Sequence, residues 1–141
     1  MSLINIVDLP SLADERGELV VLEDNDAVPF KIKRIYYIYG TKENVSRGFH
    51  AHKNLEQMAV CVSGSCCFLL DNGNSKDNFT LGDPTKGLVI DKMIWHEMYD
   101  FSNDCILMVV ASDYYDEKDY IRDYDDFKEL TGHGLNSSKR F

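Results

Sequence analysis

Hydrophobic residues lie along this chain in short runs separated by polar turns. The runs are rich in β-branched and aromatic residues, which favour strands over helices. The predicted strands cover residues 3–7, 18–23, 33–39, 47–53, 55–62, 66–71, 79–81, 87–90, 93–101 and 105–112. The run at 105–112 is the most apolar, so it is predicted to be a central strand.

Turn residues stand where the runs end. The segments Asp14-Glu15-Arg16-Gly17 and Asp71-Asn72-Gly73-Asn74 are typical of tight hairpin turns. Many short strands joined in this way predict an all-β protein, an antiparallel barrel or jelly roll.

Only the end of the chain has a helical period. Tyr120, Tyr124, Phe127 and Leu130 recur at helical spacing, and Gly132 is a plausible stop. We therefore predict a short C-terminal helical segment, one domain over residues 1–132, and a tail over 133–141 that is expected to be disordered.

The strand at residues 47–53 carries two histidines separated by one residue. Side chains alternate across a strand, so His50 and His52 must project to the same side. The same alternation puts Gly48 on their side, where it would leave room for a ligand, and puts Arg47, Phe49 and Ala51 on the other. Arg47 and Lys53 flank the pair, and this arrangement predicts an active-site wall for an anionic substrate.

The composition narrows the class of partner. A net charge of −9 argues against nucleic acid and against anionic membranes. The acids are concentrated at residues 113–129, whereas Lys31, Lys33 and Arg34 add positive charge near the histidine strand. The four cysteines lie in apolar runs without metal-type spacing and are predicted to be buried, reduced thiols. No apolar run is long enough to span a membrane, and the expected location is the cytoplasm.

Two chemistries compete for the histidines. The spacing His50-x-His52-x3-Glu56, with His96 further on, matches a two-part metal pattern suited to Fe, Mn, Ni or Zn. The Pro-x-Gly-x-x-His lead-in of that pattern is missing before His96. The alternative is acid–base catalysis by unligated imidazoles, which titrate near neutral pH.

Other residues are candidates for the same site. Tyr36 or Tyr37 offers a phenol, since one of the two must face inward. Arg16 follows a turn and can hold a phosphate with its guanidinium. Trp95, beside His96, can stack on a base or pack in the core.

Several segments together resemble the sugar-nucleotide 3,4-ketoisomerases. The likeness runs from about residue 3 to residue 130. The segments that carry it are Asp14-Glu15-Arg16-Gly17, Ile32-Lys33-Arg34-Ile35-Tyr36-Tyr37, Arg47-Gly48-Phe49-His50-Ala51-His52-Lys53, Leu55-Glu56-Gln57, Trp95-His96-Glu97-Met98 and Ala111-Ser112-Asp113-Tyr114-Tyr115-Asp116.

The resemblance implies a cupin-type jelly roll without metal or redox cofactor, and a homodimer that exchanges N-terminal strands. It implies dTDP-4-keto-6-deoxyglucose as the substrate, within deoxyaminosugar biosynthesis for O-antigen or S-layer glycans. It also implies that His50 and His52, with a tyrosine at or beside Tyr37, transfer the protons. The expected substrate-binding residues are Arg16, which would hold the diphosphate, and Tyr36, Arg47, Lys53, Gln57, Trp95 and His96.

Three functions follow as hypotheses. In the first, an imidazole, preferably that of His50, removes the C3 proton, and the ketone moves from C4 to C3 through an enediolate. The resemblance favours a galactose-configured product. The second is a metal-dependent cupin oxygenase or isomerase that uses His50, His52, Glu56 and His96. The third is a non-catalytic dTDP-sugar-binding module. The chain is also compatible with being one domain of a bifunctional protein.

Overall fold

The computed structural model describes residues 2–132, and their regular secondary structure is almost entirely β-strand. One 3-10 turn (Glu117–Asp119) and one helix, α1 (Tyr124–Leu130), interrupt it. The strands are β1 (Ile6–Asp8), β2 (Ser11–Asp14), β3 (Gly17–Val20), β4 (Arg34–Ile38), β5 (Arg47–His52), β6 (Gln57–Ser63), β7 (Cys66–Asp71), β8 (Lys76–Leu81), β9 (Lys86–Ile90), β10 (Trp95–Tyr99), β11 (Ile106–Ala111) and β12 (Tyr120–Ile121).

Two five-stranded antiparallel sheets face each other. Their strand orders are β1-β9-β6-β11-β4 and β12-β5-β10-β7-β8, and β2 and β3 form a separate hairpin. The largest core cluster lies between them, with Leu107 and Ala59 from the first sheet against Phe68 and Leu70 from the second. Each large side chain buried there contributes about 1.5–3 kcal/mol to folding. The predicted all-β, cupin-type antiparallel fold is confirmed.

The predicted central strand is confirmed as well. β11 pairs with β4 on one side and with β6 on the other. Leu107, Val109 and Ala111 on this strand are buried, which explains why its sequence is so apolar.

The N-terminal strands differ from the prediction. The first strand begins at Ile6. β3 ends at Val20, which pairs with Ser11, the first residue of its hairpin partner β2. The partner, β2, was not predicted because all four of its residues are exposed and none shows a core-facing alternation.

The C-terminal helix is shorter than its period indicates. Tyr120 lies on β12, and α1 begins after Asp123, whose carboxylate accepts a hydrogen bond from the Asp126 amide as an N-cap. Gly132 follows the helix with a φ of 81°, as expected for a stop. The predicted tail at 133–141 lies outside the described residues. No helix within residues 2–132 is long and apolar enough to cross a membrane.

Candidate active site

Three imidazoles meet at the centre of the second sheet. The ring centroids of His50 and His52 are 5.0 Å apart, so the two side chains share one side of β5 as predicted. His96 on β10 pairs directly with His50, and their ring centroids are 4.5 Å apart. Strand pairing therefore fixes this cluster on rigid backbone.

A β-bulge shapes the strand just before the pair. The register between β10 and β5 shifts so that His96 pairs with His50 and Glu97 with Gly48, which leaves Phe49 as the extra residue. Phe49 and Gly48 have φ values of 59° and 93°. The bulge breaks the strict alternation, and Arg47 consequently lines the same cavity as His50. The expectation that Arg47 lies on the opposite side was wrong.

Gly48 also serves backbone packing. A Cβ at this position would come 2.8 Å from the carbonyl oxygen of His96, so the missing side chain lets β5 approach β10 at the bulge. Gly48 lines the same cavity as His50, and the prediction that it leaves room for a ligand stays a prediction.

Hydrogen bonds assign the tautomers of His50 and His96. His50 Nδ1 lies 3.0 Å from the Gly48 carbonyl oxygen and His96 Nδ1 lies 3.3 Å from that of Ile94. Because a carbonyl only accepts, each Nδ1 carries the proton. The Nε2 lone pair of each ring is left as the basic atom.

The segment after β11 closes over the histidines. β12 pairs with β5 in a register that sets Tyr120 opposite His52, and the Tyr120 ring centroid is 4.3 Å from that of His52 and 4.9 Å from that of His50. The Asp119 carboxylate accepts hydrogen bonds from the amides of Asn54 at 2.8 Å and Leu55 at 3.1 Å.

The same carboxylate faces His52. Asp119 Oδ2 is 3.3 Å from His52 Nδ1, close enough for electrostatic attraction but without hydrogen-bond alignment. Within residues 2–132, both ring nitrogens of this buried histidine lack a hydrogen-bond partner. An unpaired buried imidazole is costly unless a ligand completes it.

Burial lowers the pKa of all three imidazoles. Desolvation is the main cause in each, and the neighbouring rings add to it for His52 and His96. The pKa of His52 falls to about 4 and that of His96 to about 3. All three rings are therefore neutral at pH 7, the form in which an imidazole accepts a proton.

Tyr36 is the inward-facing member of the tyrosine pair. Its hydroxyl accepts a hydrogen bond from Gln57 Nε2 at 2.8 Å, and burial raises its pKa. Tyr37 lies on the opposite face of β4 and its side chain is 65% exposed. The phenol at this site is therefore that of Tyr36, which corrects the placement of Tyr37.

Of the three imidazoles, His50 lines a cavity of about 560 Å³ with a basic mouth, while His52 borders a smaller neighbouring pocket. The lining of the larger cavity includes Tyr36, Arg47, His50, Tyr115, Tyr120 and Arg122. The Arg122 guanidinium lies 4.2 Å from the Tyr120 ring centroid and pairs with Glu117 at 2.6 Å. The mouth therefore offers cations to an anionic group, while the interior offers phenol and imidazole.

Three predicted binding residues lie elsewhere within the chain. Trp95 is buried on the other side of the sheet, where it packs against Tyr124 and Phe127 and donates to Glu97. Its indole therefore fills the core, and the stacking assignment was wrong. Lys53 is exposed and lines a groove beside α1. Arg16 sits at the tip of the β2–β3 hairpin, paired with Asp14, and its side chain is 86% exposed.

The sequence did not point to Asp119, Tyr120, Tyr115 and Arg122. The strong acidic bias of residues 113–129 hid the carboxylate that lies beside His52, and Tyr120 fitted the helical period by coincidence. β12 has only two residues, too few to show a strand pattern.

The four residues of the metal hypothesis do not assemble a site. Among residues 2–132, the ligand atoms that converge within 4.8 Å belong to three cysteines, not to His50, His52, Glu56 and His96. The tautomers of His50 and His96 are set by backbone carbonyls, and Glu56 is half-buried beside Ser112.

Residues 2–132 match the family model described as "FdtA: WxcM-like, C-terminal". A TDP-4-oxo-6-deoxy-alpha-D-glucose-3,4-oxoisomerase from Aneurinibacillus thermoaerophilus is 54% identical over 124 residues, which make up 88% of this chain and 89% of that protein. Among solved structures, a 3,4-ketoisomerase from Helicobacter canadensis has a TM-score of 0.89 at 44% identity, covering 93% of this chain and 98% of that one. A histidine-to-asparagine mutant of the 3,4-ketoisomerase QdtA from Thermoanaerobacterium thermosaccharolyticum, in complex with TDP-4-keto-6-deoxyglucose, has a TM-score of 0.87 at 38% identity, with coverage of 98% and 96%.

Proposed function

This chain belongs to the FdtA-type, WxcM-like C-terminal family and is an isomerase, and we propose that it moves the keto group of dTDP-4-keto-6-deoxyglucose from C4 to C3. The observation that carries the proposal is the neutral His50 imidazole in a cavity with a cationic mouth, with the His52 ring centroid 5.0 Å from its own. Residues 1–132 form the proposed catalytic domain.

The chemistry needs a base beside C3 and a donor beside the C4 oxygen. The C4 carbonyl makes the C3–H acidic, and His50 Nε2 takes that proton while the electron pair moves to O4. Tyr36 or His52 donates a proton to O4, which gives the enediol. O3–H then gives its proton to the group that protonated O4, and His50, after exchange of its proton with solvent, delivers one to C4, so the ketone stands at C3 and both groups are restored. Hydrogen leaves and returns only as protons, and no redox cofactor takes part.

The basic mouth supports a nucleotide-linked substrate. Arg47 and Arg122 line it, and Arg34 sits deeper, with its guanidinium 5.4 Å from the Tyr36 ring. Cations in this position favour a diphosphate outside while the sugar enters toward the imidazoles. The QdtA complex, in which a relative holds TDP-4-keto-6-deoxyglucose, supports a nucleotide-linked keto sugar as the ligand.

The hairpin supports a homodimer with exchanged N-terminal strands. Leu12 and Leu19 on β2 and β3 are 68% and 55% exposed, and within residues 2–132 Arg16 at the tip pairs with Asp14 and does not line the cavity of His50. The outer face of edge strand β4 is also apolar and exposed at Ile35, Tyr37 and Tyr39. We place the hairpin of one protomer beside the partner's β4, where Arg16 reaches the partner's substrate diphosphate.

The resemblance supports a galactose-configured product, dTDP-3-keto-6-deoxygalactose, as an intermediate of deoxyaminosugar biosynthesis. The four free cysteines fit a cytoplasmic enzyme, because reducing compartments keep thiols unpaired.

The test is the His50→Asn variant with dTDP-4-keto-6-deoxyglucose in D2O, followed by NMR. The wild type should form the 3-keto sugar nucleotide and incorporate deuterium at the product ring carbon. The variant should lose at least about 10²-fold in turnover, and lose the labelling, because asparagine cannot accept the proton. Binding of dTDP, measured by calorimetry, should remain.

Other outcomes separate the competing functions. Unchanged turnover in the variant removes His50 from the mechanism. Binding of dTDP without any conversion by the wild type supports a sugar-nucleotide sensor. Loss of wild-type activity in EDTA, restored by a divalent metal, supports the metal-dependent reaction.

A further inference from the structure

Three of the four cysteines converge at the end of the barrel away from the histidines. Cys61 lies on β6, Cys66 begins β7, and Cys105 stands just before β11. Their Sγ atoms all lie within 4.8 Å of one another, and those of Cys61 and Cys105 are 3.7 Å apart. Cys61 and Cys66 are separated by four residues, within the range of metal-ligand pairs, whereas Cys105 is distant in the sequence and joins them only through the fold.

The cluster is separate from the proposed active site. β6 runs from Gln57, which contacts Tyr36 at the cavity, to Ser63 at the other end of the sheet. Cys61 is four residues beyond Gln57, which corresponds to roughly 13 Å along an extended strand. None of the three cysteines lines the cavity that contains His50.

Two turns that are hydrogen-bonded to each other hold the three thiols in place. The Ser65 amide donates to Ser102 Oγ at 2.9 Å, and the Ser102 amide donates to the Ser65 carbonyl at 2.9 Å. The Cys105 amide donates to the Ser102 carbonyl at 3.1 Å. Gly64 lets the turns touch, since a Cβ there would meet Ser102 Oγ at 2.2 Å.

The surroundings of the thiols are apolar. Cys61 and Cys66 are fully buried and Cys105 is 2% exposed. Phe68, Leu81 and Phe101 belong to the same core cluster. The Ser63 carbonyl oxygen lies 3.1 Å from Cys61 Sγ, and residues 103 and 104, just before Cys105, are exposed.

We propose that Cys61, Cys66 and Cys105 form a site for a soft d10 cation, with Cu(I) as the best match. Three sulfur ligands without carboxylate or imidazole select a soft ion, and Cu(I) accepts three-sulfur coordination. Zn(II) prefers four ligands, whereas three converge here among the residues that the structure describes. Binding is a simple exchange in which each thiol that ligates the ion releases its proton to solvent, and no oxidant or reductant takes part.

The experiment uses reduced, metal-free, full-length protein under anaerobic conditions. Cu(I) is added as a complex with bathocuproine disulfonate, and transfer to the protein is followed by loss of the colour of that complex. We expect one Cu(I) per chain, and X-ray absorption should report only sulfur ligands. Zn(II), added in a parallel titration, should bind more weakly.

The variants Cys61→Ser and Cys66→Ser should each weaken Cu(I) binding by at least about 100-fold, because a direct ligand matters at least as much as its supporting groups. Cys67→Ser is the matched control. Cys67 is the next residue on β7, its side chain projects to the other face, and its sulfur contacts Thr80 Oγ1 at 3.3 Å. This variant should bind Cu(I) as the wild type does.

Circular dichroism and ketoisomerase turnover test whether the variants keep the fold and the activity of the wild type. Both should be unchanged in all three variants, since the site does not contribute to the proposed reaction. The proposal is overturned if the wild type leaves Cu(I) with the competitor, if copper binds through nitrogen, or if Cys67→Ser lowers binding as much as Cys61→Ser. It does not depend on turnover, so failure of the proposed function leaves this test intact.

Discussion

His50 and His52 differ in what their ring nitrogens contact. His50 Nδ1 is held by the Gly48 carbonyl, which leaves Nε2 as a defined base. His52 faces Asp119 without an aligned hydrogen bond, so its proton position is free to change. This contrast favours His50 as the C3 base and gives His52 the less constrained role at oxygen.

The two adjacent tyrosines provide a matched comparison. Tyr36→Phe should lower kcat by about 10²-fold if its phenol protonates O4. Tyr37→Phe should leave kcat unchanged, because that side chain lies on the outer face of β4. Steady-state kinetics of both variants checks this, and equal losses would contradict the assignment of the inward phenol.

The buried histidines make stability depend on pH. Their folded-state pKa values lie below the unfolded value of 6.5, at about 4 for His52 and about 3 for His96. As pH falls below 6.5, these histidines bind protons in the unfolded chain but stay neutral in the folded chain. The free energy of unfolding therefore decreases. It levels off only when pH reaches the folded-state pKa values.

The variant His96→Gln isolates one part of this effect. Urea unfolding between pH 7 and pH 5 should show a slope below pH 6.5 that is shallower than that of the wild type by roughly 1.4 kcal/mol per pH unit. Glutamine keeps polarity at the position but does not titrate there. A variant with the slope of the wild type would mean that His96 is protonated in the folded chain.

Alternation along a strand was enough to place His50 and His52 on one side, and the structure confirms it. The same rule could not choose between Tyr36 and Tyr37, because it states only that they oppose each other. That choice depends on which face of β4 meets the second sheet, a property of packing across the whole molecule.

At the scale of elements, the bulge in β5 determines what lines the cavity. It lies where Gly48 touches the His96 carbonyl and where Phe49 adopts a left-handed φ. The insertion is invisible in the sequence, because one residue out of register leaves no pattern of its own. The failure to place Arg47 correctly follows from that.

Two glycines test the bulge. Gly48→Ala combines a positive φ with a backbone clash and should lower the free energy of unfolding by at least about 2 kcal/mol, with loss of turnover. Gly40→Ala has a similar φ of 65° but open space around its Cβ, so it should cost only about 1 kcal/mol. Urea unfolding compares the two, and equal costs would mean that the contact with β10 is unimportant.

Strands with a buried face were predictable, since a core imposes alternation or a continuous apolar run. β11 and β5 are examples. β2 is exposed along its whole length and β12 is too short, so neither shows such a pattern. The apolar period at Tyr120 indicated a helix, but pairing with His52 prevailed over local preference.

At the scale of the whole molecule, the exchanged hairpin leads to a complementation test. Arg16→Ala and His50→Asn should each be nearly inactive as homodimers. If Arg16 acts on the partner's site, a heterodimer of the two variants contains one site with both residues intact. Random remixing, by mild denaturation and refolding, should then restore about a quarter of wild-type turnover.

Arg16 acting within its own chain would give no recovery on mixing. Remixing each variant with itself is the control for refolding, and light scattering should report a dimer throughout. A monomer in solution would remove the exchanged arrangement altogether.

Asp119 joins two tasks that proteins often keep apart. Its carboxylate holds the backbone amides of residues 54 and 55, and it also faces the His52 ring. Detachment of the segment after β11, which bears Asp119, would therefore abolish activity while both sheets stay assembled. Mild heating should thus inactivate the molecule well before it melts, and activity should return quickly on cooling, because only this segment has to dock again. A protease that cuts near residue 116 should instead inactivate it permanently.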